Sequence, residues 1–198
     1  MFDFFPDITP STSAFAVIPA AEARFNNFSK VETVFDKAGD KWEATLSWNF
    51  IKRADVRTLR GFLNKQGGTG RFYVRDTAHQ NEGAWGGGIV VNGASQYGKM
   101  LTISGATPNA EIAPIADRFT LDGFLYELTD TATADANGEA KIYFTPELRR
   151  SPLQGTALIT ADPYGTFMLR DPSEIPTFSQ NRLGARGVRL SLIEAIRL

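Results

Sequence analysis

From Trp42 to Phe50 every second residue is apolar: Trp42, Ala44, Leu46, Trp48 and Phe50 share one side, with Glu43, Thr45, Ser47 and Asn49 between them. Alternation of this length predicts a β-strand with one face buried and the other wet. Val31, Thr33 and Phe35 give a shorter alternation upstream, joined to the first by the turn "KAGDK". After Arg53 the period changes. Val56, Leu59, Phe62 and Leu63 form a helical stripe, with Arg57, Arg60 and Lys65 facing out, so residues 54–66 predict a helix. Asp55 suits its first turn and Gly67-Gly68 supplies a stop. The residues before Trp42 begin with a Pro-punctuated stretch (Pro6, Pro10, Pro19), read as an extended arm or a short edge strand.

Residues 79–165 have a different texture. Short β runs are separated by turn signals, at the spacing of a small barrel or sandwich. Asp122-Gly123 is a two-residue hairpin turn and Asn137-Gly138 a second turn. At the end of the chain, Val188, Leu190 and Leu192 alternate with Arg189, Ser191 and Ile193, which favours a terminal strand over a helix.

Two segments echo each other, "RFYVRD" at Arg71–Asp76 and "TFMLRD" at Thr166–Asp171. A helix precedes the first and an acidic β block precedes the second, so no repeating unit is present. The echo marks a seam. Residues 1–78 and 166–198 are expected to form one discontinuous domain, with 79–165 inserted. Phe72 and Phe167 should then lie close in space, and the remainder should fold with the insert excised.

Composition narrows the function classes. Of 198 residues, 42% are hydrophobic and 12% aromatic, enough for a packed core rather than a disordered chain. The absence of Cys excludes disulfides, thiolate chemistry and Cys-based zinc sites. No run of apolar residues is long enough for a membrane span. The first charges, Asp3 and Asp7, do not make the basic start of a signal peptide. A net charge of −1 offers no overall field for nucleic acid, so none is expected as a partner. The charge is divided, however: residues 79–165 carry −5 and the rest +4.

Candidate chemistry is thin. The loop "GGTGR" at Gly67–Arg71 follows a helix and precedes a strand, the reverse of a phosphate loop. "WGGG" at Trp85–Gly88 reads either as a binding loop whose ring stacks on a sugar or neighbouring subunit, or as a bulged hairpin tip. His79 is the single histidine and reads as a polar surface residue. Asp130, Asp135 and Glu139 flank turns without the spacing of a calcium loop, and Arg149–Arg150 is too short for a basic patch. No nucleophile, metal cage or cofactor fingerprint is legible, so neither catalysis nor a cofactor is expected.

The phrases "IVVNGASQYGKMLTISG", "DRFTLDGFLYELTDTATADANGEAKIYFTPELRRSP" and "ADPYGTFMLRDP" resemble the distal tail (Dit-like) structural proteins of tailed phages. The strand, helix and strand upstream ("WEATLSWNF" to "GRFYVRD") fit the same pattern, and the likeness spans residues 40–192. Spacing and turn residues carry it, among them Asp122, Gly123, Gly138 and Pro146. The resemblance implies a mainly β protein with one helix: a ring-forming β-barrel or sandwich domain with an inserted small OB-like β-barrel. It further implies a homohexameric ring in the virion tail of a long-tailed phage, assembled in the host cytoplasm. That ring would be part of the baseplate and join the tail tube protein to the tip or hub protein. The length leaves no room for a large carbohydrate-binding extension.

Two sets of residues are candidates for contacts. Phe2, Phe4 and Phe5 crowd the Pro-rich arm, which would pack on a neighbouring subunit or across its own barrel. Trp85, Tyr97, Tyr126 and Tyr143 are candidate stacking platforms for a host-surface glycan. The alternative functions are accordingly a minor tail-tip protein or a host-surface carbohydrate-binding module.

Overall fold

The structure, a computed structural model, describes residues 2–28, 30–35, 39–171, 173, 175–176, 178–179 and 181–197. The chain runs β1 (Asp3–Phe4), β2 (Thr12–Ile18), β3 (Glu22–Phe25), β4 (Glu32–Phe35), β5 (Lys41–Lys52), α1 (Arg53–Gln66) and β6 (Phe72–Arg75). Its middle supplies β7 (Val90–Val91), β8 (Met100–Ser104), β9 (Glu111–Ala113), β10 (Arg118–Leu121), β11 (Phe124–Leu128), β12 (Ala132–Thr133) and β13 (Ala140–Thr145). It closes with β14 (Tyr164–Leu169) and β15 (Gly184–Glu194). The protein is mainly β, with a sheet curled into a half-barrel, and α1 is the helix the periodicity predicts.

A six-stranded sheet in the order β1-β6-β14-β15-β5-β2 draws its strands from the two ends of the chain. Its β1–β6 pair is parallel and the other pairs are antiparallel. Phe72 and Phe167 are register partners on β6 and β14. The two halves of the echo are therefore neighbouring strands. The terminal strand is β15, and its Val188, Leu190 and Leu192 share the core with Trp42, Ala44, Leu46 and Trp48 of β5. Beyond Trp48 the alternation changes phase, so Ile51 is buried and Phe50 is 43% exposed, contrary to the sequence pattern. The partner strand changes phase at the same level, where Gly187 adopts φ of 63°. Helix α1 covers the core with Val56, Leu59 and Leu63, each fully buried. Burial of such side chains contributes roughly 1.5–3 kcal/mol each. Gly67 ends the helix at φ of 63°, its amide bonding to the Leu63 carbonyl.

The middle of the chain forms a five-stranded sheet, β10-β11-β13-β8-β7, and a small β9–β12 pair. Its core is built on Phe119, Tyr126 and Phe144, whose ring centroids lie 5.2–5.4 Å apart. The β10–β11 turn has positive φ at both Asp122 (52°) and Gly123 (82°), the backbone a tight hairpin demands and the reason for this dipeptide. At the second turn Gly138 has φ of 75°, and the Asp135 carboxylate accepts from the Asn137 and Glu139 amides.

The short alternation at 31–35 does form a strand, β4, but it does not join the main sheet. It pairs with β3 in a separate two-stranded ribbon whose β4 residues are all exposed. Of the turn "KAGDK", Lys37 and Ala38 lie outside the described residues, as do Pro172 and Glu174 after the second echo.

The five-stranded sheet rests on the six-stranded one where β11 meets β14, and Leu125 of β11 belongs to the core of the main sheet. Gly165 permits this approach. A Cβ there would lie 2.8 Å from the Phe167 ring and 3.0 Å from Leu125 Cβ. We therefore expect Gly165→Ala to destabilise the protein by about 1–3 kcal/mol in urea titration. An unchanged midpoint would show that the two layers separate freely.

Candidate functional site

The joint between the two blocks is held by charge. Residues 79–165 contain five Lys and Arg, and three of them reach carboxylates of the other block. Arg149 grips Glu194 with Nε at 3.0 Å from Oε1 and Nη2 at 2.6 Å from Oε2. Both side chains are almost fully buried, at 4% and 1% exposure. Glu194 also accepts the Trp42 amide at 3.0 Å, and Arg149 donates to the Asp40 carbonyl. The Trp42 indole N–H donates to the Leu125 carbonyl at 2.7 Å. Arg118 bonds Asp76 at 2.8 Å and Glu127 at 2.7 Å, with its guanidinium 5.0 Å from the Trp42 ring. Lys99 bonds Asp40 at 2.9 Å.

Asp76 and Asp171, the two aspartates of the echo, thus do different work. Asp76 joins the blocks through Arg118 and also accepts from Ser13 Oγ at 2.7 Å. Asp171 accepts from the amide and hydroxyl of Ser173, and this holds its carboxyl below the ordinary range. Asn81 ties the entry to the insert. Its side chain donates to the Arg118 and Thr160 carbonyls and accepts from the Arg118 amide. No sequence signal singled it out. Excising 79–165 would uncover Trp42 and leave the buried Glu194 carboxylate without its counter-ion.

The candidate stacking platforms separate sharply. Trp85 is 4% exposed and its indole N–H donates to Asp117 at 2.8 Å. The same carboxylate takes the Glu82 and Gly83 amides, so the start of the "WGGG" segment is anchored rather than free. Tyr126 is 1% exposed in the core beside Phe119 and Phe144, and burial pushes its hydroxyl far above the ordinary range. Neither ring offers a face to a ligand, because each is spent on packing. Tyr97 and Tyr143 do face solvent.

The aromatic arm is held by its own chain. Phe4 pairs with Tyr73 in register, and the Phe5 amide bonds the Tyr73 carbonyl at 2.8 Å. Phe5 packs on Trp48, Phe62 and Phe72, while Phe2 lies edge-on to Tyr73. Lys65 bonds Asp3 at 2.7 Å and holds its carboxyl below the ordinary range. Phe5 therefore packs on the core of its own chain, while Phe2 and Phe4 lie against Tyr73 at the sheet edge with Phe4 still 43% exposed.

A groove of about 580 Å³ runs past Phe4, Tyr73, Arg75, His79 and Asp162. Its rings are occupied with one another: Tyr73 and Tyr164 lie 4.7 Å apart, and Arg75 sits 4.6 Å over Phe4. His79 bonds Asn81 at 3.1 Å. Among the described residues no group of three His, Asp or Glu is placed to hold a metal, and no buried side-chain nitrogen or oxygen lacks a partner. No helix among them is long and apolar enough to cross a membrane.

What remains open is backbone and apolar surface. Among the described residues, the outer edge of β2 has no strand beside it, and the β3–β4 ribbon is hydrogen-bonded to neither large sheet. No protein-family model and no curated protein matches this chain.

Two outcomes test the joint. Arg149→Met should cost about 3–5 kcal/mol in urea titration, because it strands a buried carboxylate. Adding Glu194→Leu should recover part of that, with the Trp42 amide left unpaired. The Lys99 ammonium and the Ala20 amide hold the Asp40 carboxyl below the ordinary range. A lowered folded-state pKa stabilises the fold above the unfolded value of about 3.9 and loses that effect as pH falls through the folded value. Asp40→Asn should therefore cost about 1–2 kcal/mol at neutral pH, with the difference from wild type closing below about pH 4.

Proposed function

We propose that the chain is a ring-forming structural subunit of a long-tailed phage, a distal tail protein that joins the tail tube to the tip or hub complex. The observation that carries this reading is the β2 edge. Its seven residues, Thr12–Ile18, contain neither charge nor proline, and among the described residues no strand pairs with its outer side. Monomeric β proteins guard such edges with Lys, Pro, bulges or a covering loop, because an open row of amides and carbonyls invites another strand. An edge without charge or proline suits a protein that assembles through its sheet. The sequence likeness to Dit-like proteins supplies the assembly, and the mainly β architecture agrees with it.

The carbohydrate-binding reading loses support with Trp85 and Tyr126 buried in the core. A binding screen for it belongs at Tyr97 and Tyr143, since Trp85→Ala would empty a core site. Sedimentation tests the ring directly. The purified chain is expected at about six times its 21.7 kDa mass, and antibody against it should decorate the distal end of tail particles. Ala14→Lys with Ala16→Lys, both at exposed positions of the open edge, should give a folded monomer. A wild-type chain that stays monomeric at every concentration, with undecorated tails, would overturn the reading.

A further inference from the structure

The β2–β5 ribbon does not end with the main sheet. Past Ile18 and Lys41 the Ala20 amide donates to the Asp40 carboxylate at 3.0 Å, and the chain continues outward as β3–β4. The register Ala23↔Val34 and Phe25↔Glu32 puts Ala23, Phe25, Val34 and Glu32 on one face of this hairpin, with Glu32 directly opposite Phe25. Glu22, Arg24, Thr33 and Phe35 take the other. That second face is suited to water, with Arg24 paired to Glu22 at 2.8 Å and lying 5.6 Å over the Phe35 ring. The first face has no such cover. Phe25 is 69% exposed, Val34 60%, and Phe28 at the tip 100%. A lone two-stranded ribbon is marginal in water, and large apolar side chains left this bare beside a single carboxylate, Glu32, mark a contact.

We propose that the Glu22–Phe35 hairpin is an arm that docks, by its Phe25–Val34 face and Phe28 tip, on the next copy of this chain. The inference rests on the ring reading above and names the contact that closes the ring. Area supports a second copy as occupant. The exposed parts of the hairpin's Phe and Val side chains amount to on the order of 500 Å². Matched by the receiving surface, that makes about 1,000 Å², where contacts between proteins become specific. The far end of β5 carries a receiving patch on the same chain. There Phe50, 43% exposed, lies against Gly184 next to Leu183, which is 74% exposed. Donor and acceptor at opposite ends of one strand make a head-to-tail contact, the kind that closes into rings. The hairpin's charges balance, Glu22 and Glu32 against Arg24 and Lys30, so copies do not repel through it.

The test uses the absence of natural cysteine. Phe28→Cys carrying a benzophenone label is irradiated in the assembled protein, and crosslinked peptides are mapped. Phe25→Ser with Val34→Ser, and separately Leu183→Glu, are sedimented and melted beside wild type. The expected result is a crosslink to a second copy, with both variants shifted to the 21.7 kDa monomer at an unchanged thermal midpoint. If wild type is oligomeric, but the hairpin variant stays so and Phe28 crosslinks within its own chain, the arm is overturned and the ring reading stands. A crosslink in tail particles to a different protein also overturns it. A monomeric wild type without intermolecular crosslinks overturns both.

Discussion

Glu194 is a buried carboxylate at the end of the last strand, and the rest of the structure is arranged around neutralising it. An ionised carboxylate taken out of water costs many kcal/mol unless it is paired and hydrogen-bonded. Arg149 supplies two hydrogen bonds from the far block and the Trp42 amide supplies a third. Arg149 also reaches the Asp40 carbonyl. The start of β5, the end of β15 and the loop after β13 therefore meet at one point. Removing either charge leaves the other buried, so the two blocks are locked by a penalty as much as by an attraction.

The net charges conceal this arrangement. The acidic insert carries few cations, yet Arg118, Arg149 and Lys99 are aimed at Asp76, Glu194 and Asp40 of the basic block. Within the insert Asp117 is buried on the Trp85 indole and Glu127 pairs with Arg118, while most of its other carboxylates face solvent. Around the joint the interfacial aromatics are consumed: Trp42 lends its N–H to Leu125 and its ring to Arg118. Trp85 and Tyr126 are consumed likewise inside the insert. Exposed apolar surface is found instead on the β3–β4 ribbon, a feature better suited to another protein surface than to a small ligand.

Much of the fold was legible in local order. Alternation located β5 and β15, the helical stripe located α1, and Asp-Gly located the β10–β11 turn, because each depends on neighbours a few residues away. Phe50 misled because the phase change depends on a paired strand more than a hundred residues distant. The alternation of Val31, Thr33 and Phe35 correctly marks a strand, but it does not say which sheet the strand joins. It reports a strand, and a strand in a separate ribbon has the same period as one in a core.

The sequence by itself determined β5, β15, the helix and the Asp-Gly turn, since hydrophobic period and turn chemistry are local, and its two Arg-Asp echoes fell on neighbouring strands. Tertiary structure alone decided which aromatic rings are core and which are surface. Trp85 and Tyr97 look alike in a glycine-rich loop until Asp117 captures one indole and leaves the other ring in solvent. It also decided that Asp76, Glu194 and Asp40 are fasteners, because their partners arrive from segments tens of residues away. Burial and ion pairing are properties of what the folded chain brings together, and no spacing along the chain encodes them.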